Sequence, residues 1–292
     1  MDMDPNGASG RILVGVDGSE DGLRAVRYAM RHARASGASL WLVHVVDERL
    51  LAAGLWELVA DPEALRRSGQ RSLDEAEEIL AAEDFPAARI TAEVILGDPA
   101  AELGRLTAEA GLVVLGRRAT SGLERMFVGS TSVEAVSRAQ CPVIVISAAS
   151  TPHQTGRLHV VAVAGTTWPP SSASLEWGAG ESELRQARLR VVLGVPGSLV
   201  SAPERVSEAT INLDHHLDPL RGAHPQLPID AEVISGNPID ELVDISRVVD
   251  LLILDVPPEP APLSGLARGV MAHAMCPVGV WRRPASQPGA AS

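Results

Sequence analysis

The sequence predicts an α/β protein made of two tandem domains, each a doubly wound parallel sheet with helices on both faces. The chain has 292 residues, enough for two domains with separate cores. Short apolar runs alternate with amphipathic segments, which is the pattern of a parallel sheet between two helical layers. Motifs of the first half also recur in the same order in the second half. We place the domains at residues 1–148 and 149–292.

The duplication rests on four pairs of similar segments. They are 10–19 with 157–166, 93–99 with 232–238, 111–116 with 250–255, and 141–146 with 276–281. The offset between the copies falls from 147 (161 minus 14) to 139 (236 minus 97) and then to 135 (276 minus 141). The second copy has therefore lost residues, and this alignment pairs Asp17 with Ala164. Residues 147–156, which are small and polar, form the predicted linker.

The first copy shows the alternation element by element. A β-branched run at 12–16, bounded by glycines, predicts a buried strand, and Asp17 or Ser19 caps the helix that follows it. That helix has apolar residues at three- and four-residue spacing and ends at Gly37. Further strands are predicted at 40–46, 90–96, 112–115 and 143–146, and further helices at 65–82, 100–110 and 130–139. In such a sheet, ligands bind beyond the carboxyl ends of the strands.

The composition excludes several functions. All 25 basic residues are Arg, so the Lys of a Walker-type phosphate loop or of Schiff-base chemistry is missing. The formal net charge of −12, without an Arg-rich run, argues against nucleic-acid and anionic-membrane partners. The chain opens with Met-Asp-Met-Asp instead of a basic and apolar signal, and its longest apolar runs have the length of strands. We therefore expect a cytoplasmic protein.

The stretch after the fourth strand is the most informative candidate site. It spans residues 116–129, has a glycine at each end and leads into a helix that begins at Ser130. Glycines let backbone amides approach a ligand closely, and the first N–H groups of a helix bind phosphates. Thr131 adds a second hydroxyl. Arg117 and Arg118 supply cations, of which at most one contacts a phosphate.

The motifs at the strand ends resemble those of the universal stress protein family in its tandem-domain form. The segments with this resemblance are 14–19, 42–45, 97–99, 116–132 and 141–145. In nucleotide-binding members of that family the loop reads G-x2-G-x9-G-[S/T]. Here the spacing is kept, with Ala119 in place of the middle glycine. The resemblance implies a Rossmann-like fold of the adenine nucleotide alpha hydrolase type.

The resemblance also implies a function for the first domain. It would bind ATP, with or without Mg²⁺, or a related adenine nucleotide, and the protein would act as a sensor or regulator of the stress response. Asp17 and the backbone of Val45 would meet the adenine, and Gly15 would line the pocket. The ribose and phosphates would be held by Gly116, Ala119, Gly129, Ser130 and Thr131. Catalysis would be limited to slow ATP hydrolysis.

The second copy is predicted not to bind nucleotide. Asp255 stands where the first copy has Gly116, and the stretch 255–265 contains four prolines. A nucleotide-free interaction module and an adenylyl-transfer enzyme are the alternative functions of the whole chain. The resemblance also implies that the two domains pair through their last strands, 142–146 and 277–281, because family members commonly pair in this way and open edge strands invite aggregation. Because this pairing uses both edge strands, a homodimer would have to form through another surface.

Several of the polar residues also have simpler structural explanations. Asp17 could cap the first helix, with Glu20 completing a capping box. Cys141 and Cys276 precede equivalent strands and behave as small buried hydrophobes. The segment 214–224 has the composition of a metal site, but its Pro- and Gly-rich surroundings favour an exposed loop.

Overall fold

The computed structural model describes residues 10–47, 62–117, 130–150, 159–165, 169–195, 203–256 and 263–281. In the first half the strands are β1 (Arg11–Gly15), β2 (Ser39–Asp47), β3 (Ile90–Gly97), β4 (Leu112–Gly116) and β5 (Val143–Ile146). The helices of this half are α1 (Glu20–Ser36), α2 (Pro62–Ala82), α3 (Pro99–Leu106) and α4 (Ser130–Arg138). Short 3₁₀ turns occur at Ala87–Arg89, Thr107–Glu109 and Ala148–Ser150.

The second half repeats this alternation. Its strands are β6 (Val160–Gly165), β7 (Arg188–Val195), β8 (Ile229–Ser235), β9 (Leu251–Asp255) and β10 (Val278–Trp281). Its helices are α5 (Ser172–Arg185), α6 (Pro203–His216), α7 (Asp218–Ala223), α8 (Pro238–Ile245) and α9 (Gly265–His273). The predicted class, an α/β chain with doubly wound parallel sheets, is confirmed.

The strands of the described residues form one sheet in the order β3-β2-β1-β4-β5-β10-β9-β6-β7-β8. Neighbouring strands are parallel within each half, and the two halves join where β5 and β10 pair antiparallel. The interior positions of the central strands are apolar and buried because helices cover both faces of the sheet. The sheet therefore consists of two five-stranded parallel halves joined by one antiparallel pair of strands.

The junction between the halves is nearly symmetric. Ile144 lies opposite Gly279, and Val145 and Val143 lie opposite Val278 and Val280. This is the edge pairing that the sequence analysis expected. A Cβ at Gly279 would lie 2.6 Å from the Trp177 ring of α5. Glycine at this position therefore makes room for an indole that covers the junction.

The sheet register corrects one alignment made from the sequence. Val114 and Ile253 correspond, since they lie opposite Ile144 and Gly279 at the junction. Val14 lies opposite Val114, and Val163 lies opposite Ile253. Val163 is therefore the counterpart of Val14, and the first offset is 149 (163 minus 14) instead of 147.

The corrected offset changes the partner of Asp17. Ala164 corresponds to Gly15, so the counterpart of Asp17 lies beyond Gly165, the last residue of β6. The prediction that Ala164 replaces Asp17 was wrong because the two apolar runs look alike when shifted by two residues. Strands buried on both faces read as near-continuous apolar runs, and such runs can be aligned by sequence at more than one shift.

A buried polar network joins the halves between α1 and α5. Glu181 accepts a hydrogen bond from Trp177 Nε1 (3.2 Å) and pairs with His32 Nε2 of α1 (2.9 Å). Arg185 forms an ion pair with Glu181 and donates to the Tyr28 hydroxyl of α1 (2.5 Å). Burial raises the pKa of Glu181, but the charges of Arg185 and His32 outweigh burial and hold that pKa at about 2. The carboxylate is therefore ionised at neutral pH and depends on these partners.

Both cysteines are buried free thiols at equivalent positions, as the sequence predicted. Burial raises the pKa of Cys141 and of Cys276 to about 12. Neither thiol therefore has the thiolate character of a reactive cysteine.

His224 fastens the end of α7 to α5. Its Nδ1 lies 2.8 Å from Glu183 Oε1, and its Nε2 lies 3.1 Å from Glu176 Oε2. Burial lowers the pKa of His224, but the hydrogen bonds and charges of the two carboxylates raise it by more, so the net shift from 6.5 is upward. His224 therefore binds its proton more tightly in the folded protein than in the unfolded chain.

This upward shift predicts a pH-dependent stability. A group with a raised pKa stabilises the fold fully below its unfolded pKa, and the contribution is lost as pH rises through the folded pKa. We expect His224→Gln to remove up to about 1 kcal/mol of unfolding free energy near pH 6 and much less near pH 8. Urea denaturation at each pH measures the difference. His215→Gln, at an exposed position on α6, is the control, and an equal effect of the two substitutions would contradict the prediction.

Candidate functional site

The candidate site lies where β1 and β4 run side by side. The chain leaves β1 toward β2 on one side, and β4 lies on the other side, so this is the switch point of the first sheet. β1 ends at Gly15 and β4 ends at Gly116, each within one residue of the predicted end. A Cβ at Gly15 would lie 2.8 Å from Leu115 Cδ2, so this glycine also allows close packing within the sheet.

Gly116 brings the end of β4 against the N-terminus of α1. A Cβ at Gly116 would lie 2.6 Å from Gly22 N and 2.7 Å from Asp21 C. Ser132 Oγ of α4 donates to the Gly116 carbonyl (2.9 Å), which ties the first turn of α4 to the same strand end. The N-termini of α1 and α4 therefore both contact Gly116. Sequence reasoning missed Gly22 and Ser132; a glycine inside a helical pattern was the available signal for the first.

Asp17 is exposed and belongs to the turn that starts α1. Its Oδ1 accepts hydrogen bonds from Ser19 N (2.9 Å) and Ser19 Oγ (2.5 Å). Ser19 is the N-cap, and its Oγ accepts from Gly22 N (3.0 Å). The alternative in which Asp17 itself caps the helix was therefore wrong. Asp17 instead holds the cap, and its carboxylate stays at the exposed end of β1.

Val45 presents its backbone to the space beyond the end of β1. The pairing of β1 with β2 ends at Gly15 opposite Val43, and Val16 N donates to Val43 O (2.9 Å). Alternate residues of a strand direct their N–H and C=O groups toward the same neighbouring strand. The backbone groups of Val45 are therefore directed to the side of β1, next to Asp17. This is where the resemblance placed the adenine.

His44 lies beside this edge but has a structural role. It packs beneath α2, where a Cβ at Gly69 would lie 2.6 Å from His44 Cδ2. Burial lowers the pKa of His44, although its hydrogen bond to the Val16 backbone and the charge of Asp17 oppose the shift. The imidazole is therefore neutral at pH 7 and supports the turn that contains Asp17.

The loop between β4 and α4 lies mostly outside the described residues. Arg118, Ala119 and Gly129 fall in that part, and their predicted contacts stay predictions. Ser130 and Thr131 are the first two residues of α4, as the spacing predicted. The loop therefore connects a strand end to a helix N-terminus, which is the structural context that a phosphate-binding loop requires.

The Arg117 side chain contacts the second half of the chain. The side chain is buried, and Nη1 donates to the Ala272 carbonyl of α9 in the second half (2.5 Å). Its backbone N–H donates to the Ile146 carbonyl of β5 (2.6 Å). These contacts do not support Arg117 as a phosphate ligand, and we leave it out of the proposed binding residues.

The corresponding place in the second half holds a carboxylate. Asp255, the counterpart of Gly116, accepts from Ser171 N (3.0 Å) and from Ser174 Oγ (2.8 Å). Ser171 is the N-cap of α5, so Ser174 corresponds to Gly22 of α1. A contact between two glycines in the first half is thus replaced by a carboxylate and a hydroxyl.

The loop of the second half also differs at its far end. α9 starts at Gly265, and Ser264 Oγ accepts from Ala267 N (3.2 Å), so its own cap satisfies one of the first N–H groups. Residues 256–264 separate β9 from α9, compared with residues 117–129 between β4 and α4. The connection in the second half is therefore shorter, and the carboxylate of Asp255 disfavours an anion at the end of β9.

Two further features concern metals and membranes. In the described part of the chain no three His, Cys, Asp or Glu side chains cluster in a way that could hold a metal ion. The segment 214–224 is largely helical instead of an exposed loop, and His215 lies 3.5 Å from Asp218. Within the same described ranges, no helix has the length and apolar character needed to span a bilayer.

Comparisons with known proteins agree with the architecture. The model of the universal stress protein family matches residues 9–147. A universal stress protein of Methanocaldococcus jannaschii is 32% identical over 142 residues, which are 47% of this chain and 81% of that protein. A universal stress protein of Mycobacterium tuberculosis is 28% identical over 262 residues, which are 83% of this chain and 85% of that protein.

A solved structure extends the similarity to both halves. A universal stress protein from Archaeoglobus fulgidus superimposes with a TM-score of 0.65 at 19% identity and covers 95% of this chain and 97% of that chain. At this identity the match shows the shared fold. The relative from Methanocaldococcus jannaschii is similar over most of its length, and the strand order and the glycine-bounded strand ends agree with that similarity. This chain therefore belongs to the universal stress protein family.

Proposed function

We propose that the first half binds an adenine nucleotide, ATP or a relative of it, beyond the ends of β1, β2 and β4, and that the protein acts as a regulator in the stress response. The second half serves packing and does not bind nucleotide. The observation that carries the proposal is the contrast between the two strand ends. Gly116 leaves the switch point without a side chain, whereas Asp255 fills the same point with a carboxylate.

The residues present fit a nucleotide. The first N–H groups of α4 follow the glycine-bounded loop, and a helix N-terminus favours the negative charge of phosphates. Gly116 and Gly22 form a close backbone contact that any Cβ at position 116 would obstruct. Mg²⁺ binds through phosphate oxygens and one or two carboxylates, so a nucleotide would supply most of its ligands. Mg²⁺ therefore enters the proposal only together with the phosphates.

The adenine specificity rests on Asp17 and Val45. An ionised carboxylate only accepts hydrogen bonds, and adenine presents an amino group where guanine presents a carbonyl oxygen. Asp17 is held in place by Ser19, and the backbone of Val45 is directed to the same space. We therefore expect adenine to be preferred over guanine.

Titration of the full chain with ATP and with GTP tests the function. Asp17→Asn keeps an oxygen for Ser19 but replaces an acceptor with a donor toward the base. We expect ATP affinity to fall roughly ten-fold, the size of a lost hydrogen bond to a charged group, and the preference over GTP to shrink. Isothermal titration calorimetry measures both.

Asp74→Ala, at an exposed position on α2, is the matched control and should bind ATP as the wild type does. If the wild type takes up no adenine nucleotide, the proposal fails, and a nucleotide-free interaction module becomes the function that the degenerate second half supports. Equal affinity of the wild type for ATP and GTP would contradict the proposal that Asp17 and Val45 recognise adenine. The cytoplasmic location and a homodimer stay predictions.

A further inference from the structure

Arg117 connects the start of the candidate loop to the second half of the molecule. It directly follows Gly116 at the end of β4, and its side chain is buried. Its backbone N–H donates to Ile146 of β5, and its guanidinium donates to the carbonyl of Ala272 in α9. One residue thus links β4, the last strand of the first half and a helix of the second half.

The acceptor is a group that needs a partner from outside its helix. The last four carbonyls of an α-helix have no intrahelical N–H to accept from, and Ala272 belongs to the last turn of α9. A cation at a helix C-terminus is also favoured by the helix dipole. Arg117 therefore supplies a donor to the Ala272 carbonyl and a positive charge at the C-terminus of α9. In return, the carbonyl fixes the position of the guanidinium.

The hydrogen bond between Arg117 and Ala272 has no equivalent at the symmetry-related position of the other half. The junction register relates β4 to β9 and α4 to α9, so Val256 is the counterpart of Arg117 and Ser137 is the counterpart of Ala272. Val256 has no guanidinium, so the symmetry-related bond cannot form. The donor of this hydrogen bond therefore lies in the first half, next to Gly116. The acceptor lies in the second half, in which Asp255 replaces that glycine.

We propose that Arg117 is a positioning residue that makes the second half part of the nucleotide site of the first half. By anchoring the first residue after β4 to α9, it holds the end of β4, and Gly116 with it, in place at the switch point. Nucleotide binding in the first half then depends on contact with α9, and binding in turn stabilises that contact, since coupling between two sites is reciprocal. The proposal rests on the nucleotide-binding function proposed above.

The test uses the full chain and ATP as the probe. Arg117→Met keeps the bulk of the side chain but removes the donors, and we expect ATP affinity to fall on the order of ten-fold, a typical coupling between sites. Arg117→Lys keeps a cationic donor and should restore part of the affinity. Arg138→Met, at an exposed position on α4 with an ion pair to Glu134, is the matched control and should bind as the wild type does.

Hydrogen exchange of the last turn of α9 separates positioning from direct phosphate contact. With Arg117 as a positioning residue, ATP should increase protection of residues 270–274 in the wild type and leave it unchanged in Arg117→Met. A decrease in protection on adding ATP would mean that Arg117 leaves Ala272 for the phosphates, and this would overturn the proposal. Unchanged ATP affinity of Arg117→Met would overturn it as well. A wild type without ATP affinity would instead reject the function itself, and the positioning role with it.

Discussion

Glu181→Leu should lower the free energy of unfolding by about 3–5 kcal/mol, because it leaves the largely buried guanidinium of Arg185 without its carboxylate. Trp177 Nε1 and His32 Nε2 lose the same partner. Since these groups lie between α1 and α5, the loss falls on the contact between the halves. Urea denaturation followed by tryptophan fluorescence measures the effect.

The chain offers a matched control for this substitution. Glu134 and Arg138 form a pair with the same four-residue spacing on α4, but both side chains are about half exposed. Glu134→Leu should therefore cost less than about 1 kcal/mol. The double variant Glu181→Leu with Arg185→Met should cost less than Glu181→Leu alone, since no charge stays buried without a partner. A cost below 1 kcal/mol for Glu181→Leu would show that water reaches Arg185.

The dependence of the unfolding free energy on pH below about pH 5 provides a second measure of the network around Glu181. A carboxylate with a lowered pKa stabilises the fold above its unfolded pKa, and that stability is lost as pH falls through the folded value. The pKa of Glu181 is about 2 in the folded protein against an ordinary 4.5. Replacing Glu181 by Leu should therefore reduce the loss of stability between about pH 5 and pH 2.

Val145→Glu should open the junction between the two halves. Val145 is buried in β5 opposite Val278 of β10, and an unpaired carboxylate placed there costs several kcal/mol. Once the pairing is lost, β5 and β10 expose unpaired edges, and exposed edges aggregate. Small-angle X-ray scattering should therefore show a larger radius of gyration or oligomers.

Two further variants make the scattering experiment specific. Val280 is the counterpart of Val145 across the junction, and Val280→Glu should reproduce the effect. Ile211 is exposed on α6, and Ile211→Glu should keep the wild-type profile. A compact monomeric profile for Val145→Glu would mean that the β5–β10 pair does not hold the halves together.

The sequence by itself determined the fold class, the alternation of elements and the ends of the strands at the switch point. Those features depend on local patterns: apolar runs of strand length, amphipathic helices, glycines at 15 and 116, and the serine that starts α4. The resemblance to the universal stress protein family predicted the pairing of β5 with β10, which also closes two otherwise open edges.

Only the tertiary structure decided the register and the contacts between the halves. The offset of 149 between Val14 and Val163 became visible when both strands were placed against their neighbours. The direction of Arg117 toward Ala272 and the pairing of His32 with Glu181 have no local signal, because the partners lie 155 and 149 residues apart. Such contacts depend on which surfaces the folded sheet brings together, and a residue's own neighbours in sequence do not specify its neighbours in space.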